Sequence, residues 1–504
     1  MSQFQHFPSD LSGPAALDFA ALARSGLESL RLAQLRWART TLTERLKCVR
    51  NLRQLIAGNA MALAEASAMS RSRPVTEALT AEVMPLVEAC RFLERDAAKL
   101  LRPRRLGRRG LPLWLSGVQS EIHREAYGAV LIIGPGNYPL FLPGVQLIQA
   151  LVAGNAVLLK PGEGGSPAAR VLIDLIVRAG FDAQLVALLA ESIPAAQAAM
   201  AAGPDKVIFT GSASVGENIL RQLAPRLIPS TMELSGCDAV IVRADADLEL
   251  TVKALVFGLT LNNGATCIAP KRVFVPVSIA SELEKLLSIA ILTAFAKPSS
   301  RLLRREASDR CRTLVADALA QQARVIIGEI QSDGSIALPL VLGGVSPKAR
   351  LLDADLFEPV LAIIPVQDDN EAVLWANDSR FALGASIFSR DEMAARAIAV
   401  ELNAGVVSIN DLIIPTADPR LPFGGRNRSG SGVTRGAEGL LELTRPKVVT
   451  FTRGRFRPAF EPARPGDETV FTSYLKWMHG RGLKSRCLAL ATLLRAVLRR
   501  QRLT

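Results

Sequence analysis

The 504-residue chain carries 60 Lys and Arg against 47 Asp and Glu, a formal charge of +13, with 49% hydrophobic and 5% aromatic residues. It is too long for one ordinary core and too apolar for disorder, so two or three packed domains are expected and fibrous or disulfide-stapled classes are excluded. Its three histidines, His6, His123 and His479, are scattered and make no HExxH or other compact metal site, so any catalytic base is expected to be a carboxylate.

Residues 1–10 are polar and lack the basic start and apolar run of a secretory signal, and no uninterrupted apolar stretch approaches the roughly 20 residues that span a bilayer. A cytoplasmic protein is expected. From residue 19 to 101, Leu, Ala and Arg recur at helical spacing, which predicts a mostly helical opening region. Arg102, Arg104, Arg105, Arg108 and Arg109 then fall in a segment punctuated by Pro and Gly, read as a solvated loop, with contact to an anionic membrane or to nucleic acid as the alternative.

The pattern changes at residues 128–133 (GAVLII), a short strand, followed by a helical period over 140–152, a turn at Gly154-Asn155 and a second strand at 156–160 (AVLLK). A strand at 184–189, a helix at 194–201, a strand at 206–210 and a Gly211-Ser212 turn into a helix from about Ser214 repeat the unit. Alternation of this kind implies a parallel sheet with helices on both faces, whose ligands sit beyond the strand carboxyl ends. Residues 135–138, 160–163 and 211–216 all fall there. After about Ser230 the alternation restarts with a strand at 238–242 (DAVIV), a helix at 248–261 and a strand at 272–276, predicting a second α/β domain.

The end of the chain is basic, with 12 Lys and Arg against 3 acidic residues over 453–504. Residues 470–504 hold 8 of these cations and no acid, interleaved with leucines. A basic amphipathic helix there fits an anionic membrane surface or a neighbouring subunit, giving a protein at most peripheral to a membrane. Nucleic acid is not an expected partner, because aromatics are scarce and no base-reading fold is recognisable.

Several positions can carry chemistry. Lys160 and Glu163, in KPGE, project from a strand end, where a carboxylate can accept both ribose hydroxyls of an adenosine; a surface Lys/Glu pair is the plain alternative. Gly211, Ser212 and Gly216, in FTGSASVG, lead into a helix start that favours phosphate, though the spacing is not GxGxxG. Cys267 lies among small residues between a helix and a strand, and alone reads equally as an inert thiol. The other cysteines, Cys48, Cys90, Cys237, Cys311 and Cys487, show no CxxC pairing, as expected of reduced thiols. Glu233 is flanked by apolar residues, where a burial-raised pKa suits a general base and a capping role is the alternative.

Taken in order, these segments resemble the aldehyde dehydrogenase superfamily, most closely its shorter class acting on fatty and aromatic aldehydes. The resemblance runs from Gly128 to about Thr450 through GPGNYPL with Asn137, LLKPGE, FTGSASVG, MELSG with Glu233, NNGATCIAP with Cys267, LFEPVL with Phe357, GASIF, INDLIIP and LPFGGRNRSGSG. Glu233 and Cys267 stand 34 positions apart, as that family's base and nucleophile characteristically do.

The resemblance implies a Rossmann-type parallel-sheet cofactor domain, an α/β catalytic domain and a small β oligomerisation arm. Its segments are expected at 1–110 (helical part of the cofactor domain), 111–127 (arm), 128–230 (NAD-binding), 231–425 (catalytic), 426–445 (return to the cofactor domain), 446–460 (arm strand) and 461–504 (tail). It implies that Cys267 attacks an aldehyde, that Asn137 and the Cys267 N–H hold the oxyanion, and that Glu233 activates water to release the acid. It places Lys160 and Glu163 at the adenosine ribose, Gly211, Ser212 and Gly216 beside the pyrophosphate, and Asp355 and Phe357 at the nicotinamide end. Glu163 repels a 2′-phosphate, which favours NAD, with NADP as the alternative. No metal is implied, and a homodimer is. The sequence departs from the family pattern at Gly136, Ser235, Ala265, Asp355 and Glu358, the last two bearing on cofactor affinity. A CoA-acylating dehydrogenase or acyl reductase, and a weakened member acting as a scaffold, are the rival readings.

Overall fold

The computed structural model describes residues 16–69, 73–296, 308–332, 335–453, 457, 460 and 462–501. Residues 1–15, with the polar start and His6, and the tail end 502–504 lie outside the described residues. The chain divides into two compact units, Met1–Arg104 with Ile122–Val448, and Arg105–Glu121 with Val449–Thr504.

In the first unit the opening helices include Ala16–Trp37, Leu42–Gly58 and Met84–Leu101. Thr41 starts the second of these with a capping box: its hydroxyl accepts from the Glu44 N–H at 3.2 Å while its own N–H donates to the Glu44 carboxylate at 2.7 Å. Leu52, Ile56, Leu86 and Leu93 point from these helices into one core shared with the sheet that follows, each contributing about 1.5–3 kcal/mol over an exposed position.

That sheet has six strands in the order Gly430–Ser431, Ser230–Leu234, Lys206–Gly211, Ala129–Ile133, Ala156–Lys160, Val186–Leu188. All neighbours are parallel except the first pair, in which Gly430 lies opposite Glu233. The chain adds strands outward from Ala129–Ile133 in one direction, then returns to its other side. The order therefore reverses between Ala129–Ile133 and Lys206–Gly211, and the crevice at such a reversal is where ligands of open parallel sheets bind. The expected strand 184–189 is shorter than predicted. Asp182 accepts from the Gln184 N–H at 2.9 Å and caps a 3-10 turn over Ala183–Leu185, leaving only Val186–Leu188 to pair.

The second sheet has seven strands in the order Arg324–Ile330, Ile336–Gly343, Val360–Val366, Pro270–Pro276, Asp238–Val242, Gly384–Phe388, Val406–Ile409. It is parallel apart from its first pair. Two cores cover its faces, one around Phe274, Leu340 and Ile364, the other around Val273, Leu283 and Phe388. This two-sided burial explains why its strands read as continuous apolar runs.

Arg104–Leu106, Val118–Ala126 and Thr444–Thr452 form a three-stranded sheet in that order. Thr444–Thr452 is an edge strand with Val448, Val449 and Phe451 exposed. In the second unit the tail forms two helices, Asp467–His479 and Leu483–Gln501, where one was expected. Gly480 and Gly482 break the run, Gly482 at φ 78°. Ser473 and Ala489 are buried, and the Arg486 side chain donates to the Trp477 carbonyl at 2.8 Å. Phe471, Leu475, Leu483, Leu488, Leu494 and Leu498 remain exposed.

Candidate active site

Cys267 lies in the loop between helix Leu248–Thr260 and strand Pro270–Pro276, at the amino end of the second sheet's strand. Three consecutive residues before it have left-handed backbone: Asn262 (φ 49°), Asn263 (φ 53°) and Gly264 (φ 74°). Asparagine tolerates that region better than other residues with a Cβ, and at Gly264 a Cβ would stand 2.7 Å from the Pro359 backbone. The loop is fastened on both sides. Asn262 donates its N–H to Glu77 at 3.0 Å and its side-chain amide to the Asn137 carbonyl at 2.9 Å. Lys271, buried, donates to the Glu358 carbonyl at 2.7 Å, and burial lowers its ammonium to about 8.

Asn137 sits just past strand Ala129–Ile133, at the reversal of strand order in the first sheet. Its Oδ1 accepts from the Tyr138 N–H at 3.0 Å and its Nδ2 donates to the Ala265 carbonyl at 2.9 Å. These contacts fix the amide's orientation and leave one N–H of Nδ2 for another acceptor. The next residue extends the tie, since the Tyr138 and Thr266 hydroxyls lie 2.7 Å apart. Behind them Glu82, buried with Arg73 and Ser67 as partners, accepts from the N–H groups of Leu140 (2.7 Å) and Phe141 (3.0 Å) at the start of helix Phe141–Val152. A buried ion pair thus holds the loop that carries Asn137.

Glu233 is on strand Ser230–Leu234 of the first sheet and is buried. Its Oε2 accepts from the Thr434 hydroxyl at 2.9 Å and from Gln146 at 3.4 Å, while Oε1 has no protein partner. Burial raises its carboxyl above the usual range, offset by Arg435 and these two bonds. Cys267 is half-buried and packs against Ile268, Leu383 and Phe423. Burial of the sulfur, with the carboxyls of Glu233 and Asp238 adding to it, pushes the thiol up to about 12 against the pull of Arg435. A raised thiol pKa favours the protonated form of the sulfur in the empty site.

The residues expected at the adenosine and pyrophosphate lie around the first sheet's carboxyl edge. Gly162 brings the Lys160–Glu163 turn against the Pro135–Gly136 backbone so closely that a Cβ would meet Pro135 at 2.1 Å. Lys160 is buried, and that burial lowers its ammonium, opposed by Glu191 and Glu163. Glu163 itself is exposed. Ser212 precedes helix Ala213–Leu223 and makes no side-chain cap bond, so the first-turn N–H groups are open to an anion at the helix's positive end. Gly211 is partly open beside it, whereas Gly216 is buried with Leu234 occupying the place of a Cβ; its lack of a side chain serves helix-to-strand packing. An uncapped helix start, a lysine at a strand end and an exposed carboxylate together fit a dinucleotide.

Two departures from the family pattern explain each other. Asp355 accepts from the Ser235 hydroxyl at 2.6 Å and from Arg310 at 2.7 Å, so the serine in place of a glycine steadies the shortened carboxylate. Glu358 is buried and accepts from the N–H (2.8 Å) and hydroxyl (3.1 Å) of Ser308, the residue capping helix Asp309–Ala320. Its charge is spent on that helix start. Phe357 between them is half-buried.

Sequence reasoning missed Gln146, Asp238, Thr434 and Arg435. Asp238 is buried beside Gly384, and burial raises its carboxyl well above the usual range. Arg435 is buried and stands three positions after the LPFGGRNRSGSG stretch ends; that stretch already holds Arg426 and Arg428, so charge alone did not mark Arg435 out.

The profile of the Aldehyde dehydrogenase family matches residues 19–449. A 4,4'-diapolycopene aldehyde oxidase from Methylomonas sp is 31% identical over 482 residues, covering 94% of this chain and 89% of that protein. A 4,4'-diaponeurosporen-aldehyde dehydrogenase from Staphylococcus aureus is 31% identical over 68% of this chain and 76% of its own length. Among solved structures, a Mycobacterium tuberculosis aldehyde dehydrogenase complexed with NAD+ is 28% identical with a TM-score of 0.77, covering 87% of this chain and 92% of its own.

Proposed function

The chain belongs to the aldehyde dehydrogenase family of oxidoreductases, which act on aldehydes with NAD or NADP, and from that premise we propose that it oxidises a long apolar aldehyde to the carboxylic acid with Cys267 as nucleophile. The observation that carries the reading is the meeting of three groups from distant segments. Asn137 and Cys267 are joined through Ala265, whose carbonyl accepts from the Asn137 amide two residues before the sulfur, and the buried Glu233 carboxyl accepts from Thr434, which pairs through its backbone with Phe423 of the cluster against which Cys267 packs.

In this reading the Cys267 sulfur adds to the aldehyde carbon, and the remaining N–H of Asn137 with the Cys267 backbone N–H stabilises the oxyanion. A bound nicotinamide dinucleotide supplies the hydride acceptor. Glu233, its carboxyl raised by burial, takes a proton from water as that water attacks the thioester, and the acid leaves with the thiol restored. Lys160 and Glu163 hold the adenosine ribose, Gly211 and Ser212 flank the pyrophosphate, and Gly216 keeps that helix against its strand. Asp355 and Phe357 meet the nicotinamide end. The exposed Glu163 carboxylate opposes a 2′-phosphate, which favours NAD over NADP. The presence of Glu233 favours hydrolysis over transfer to a thiol carrier.

The apolar substrate is supported by the two carotenoid-aldehyde relatives, one spanning nearly the whole chain. A homodimer is supported by the exposed edge strand Thr444–Thr452, whose open backbone is suited to strand pairing with a second copy. An anionic membrane surface is supported by the exposed leucines and the acid-free charge of the tail helices. The test is NADH formation over straight-chain aldehydes of increasing length, with Cys267→Ser as control. Rising kcat/KM with length and no activity in the control are expected. Acyl-CoA in place of free acid when CoA is added, or no NADH from any aldehyde, overturns the reading.

A further inference from the structure

We infer that Arg435 is a positioning residue for the nucleophile: its buried guanidinium is the cation that lets the site hold one negative charge, shared between Glu233 and Cys267. The inference rests on the reading of Cys267 as nucleophile and adds to it a residue that holds the charge.

The geometry around Arg435 is unusual in three ways. It is only 5% exposed, yet no carboxylate forms an ion pair with it among the described residues. Its guanidinium stacks over Phe423 at 4.1 Å and Phe141 at 5.4 Å and donates to the Thr416 carbonyl at 2.7 Å, while Nε has no protein partner. Its backbone, at φ 63° and ψ 173°, lies in a region that is nearly glycine-only. A buried, unpaired cation on strained backbone persists only where surrounding structure holds it for a purpose or a nearby anion compensates it.

Glu233 and Cys267 are the groups that can supply the anion. Thr434, its chain neighbour, donates to Glu233 at 2.9 Å. Phe423, under the guanidinium, is in the apolar cluster against which Cys267 packs. Arg435 thus neighbours the residue that bonds the carboxyl and stacks on a ring of the cluster against which the sulfur packs. The charged groups acting on Cys267 are Glu233 on its strand in the first sheet, Asp238 on its strand in the second, and Arg435; those acting on Arg435 are Glu233 and Cys267. With one cation against them, the carboxyl and thiol titrate as a coupled pair: ionising either disfavours ionising the other. Protonation of Glu233 releases the thiol to ionise, and the proton lost by the sulfur is matched by the one the carboxyl gains.

The test follows alkylation of Cys267 by iodoacetamide against pH, in full-length protein without aldehyde or dinucleotide, with modification mapped by mass spectrometry. In this reaction the thiolate forms a C–S bond as iodide leaves. Failure here leaves the aldehyde reading intact, and failure of that reading leaves this measurement interpretable. Arg435→Met is expected to move the rate profile up by about one pH unit, roughly tenfold slower in the rising limb. Arg435→Lys, which keeps the charge, is expected to stay near the native profile, and Glu233→Gln to move it down. A folded Arg435→Met variant with the native profile overturns the inference. If Arg435→Met does not fold, Arg435→Met with Glu233→Gln removes cation and anion together and is expected to fold; continued unfolding would mark a packing role and overturn the inference.

Discussion

At the scale of single residues, two carboxyls assigned to the proposed chemistry are held in opposite ways. Glu233 is buried with one oxygen unpartnered and its pKa raised, whereas Asp355 has both oxygens engaged by Ser235 and Arg310. A raised base is active only when deprotonated, so the steady-state rate is expected to climb with pH through a value above the usual carboxylate range and then level off. Glu233→Gln removes that limb, lowers kcat by roughly 10²–10⁴-fold and leaves a single-turnover burst of NADH, as stopped-flow absorbance would register; an unaltered pH profile would count against Glu233 as the base. Asp355 behaves as a positioned acceptor. Ser235→Ala frees one of its oxygens, and loss of a bond to a charged group of about 1.5–3 kcal/mol is expected to weaken NAD binding by roughly 10–100-fold, with the iodoacetamide rate of Cys267 unchanged. Calorimetric titration with NAD measures it, and native affinity would show that the serine does not support the carboxylate.

At the scale of elements, alternating apolar runs made the strands legible: Asp238–Val242 falls where its DAVIV run lies, and Lys206–Gly211 extends one residue past the expected end. Both are buried on two faces, so hydrophobicity alone marks them. The motifs around Asn137, Glu233 and Cys267 were equally legible, because each is a contiguous string. What the string does not carry is backbone handedness and contact across long separations. Asn262, Asn263 and Gly264 read as a small-residue loop, yet they form a left-handed turn seated on Pro359. Arg435 lies 168 positions beyond Cys267 and meets residues far from it in the chain, Phe141 among them. Gly264→Ala tests the turn. With φ at 74° and a methyl 2.7 Å from the Pro359 backbone, the variant is expected to lose about 1–3 kcal/mol of stability and to alter the alkylation rate of Cys267. Denaturant unfolding at matched m-values gives the first quantity; a variant as stable as the native protein would mean that the turn relaxes freely.

At the scale of the whole molecule, the proposed chemistry is assembled within the first unit, while the second concentrates charge and exposed apolar surface. The helices Asp467–His479 and Leu483–Gln501 expose Phe471, Leu475, Leu483, Leu488, Leu494 and Leu498, and from residue 470 onward no acidic side chain offsets the lysines and arginines. No helix among the described residues is long and apolar enough to cross a membrane; the lipid contact proposed for the tail is an interfacial one. Such binding adds buried apolar area to attraction between basic side chains and anionic headgroups, about 1 kcal/mol per Lys or Arg near the surface. Two dependences follow, on lipid charge and on salt. The full-length protein is expected to co-sediment with vesicles containing phosphatidylserine and to be released as salt is raised, because the electrostatic part is screened while the apolar part is not. Deleting residues 470–504 is expected to abolish co-sedimentation and to leave NADH formation from a short, water-soluble aldehyde in place. Equal sedimentation with and without the tail, or binding indifferent to lipid charge, would remove the membrane from the proposal and leave packing against a second copy as the role of these helices, which the concentration dependence of the sedimentation coefficient would then reveal.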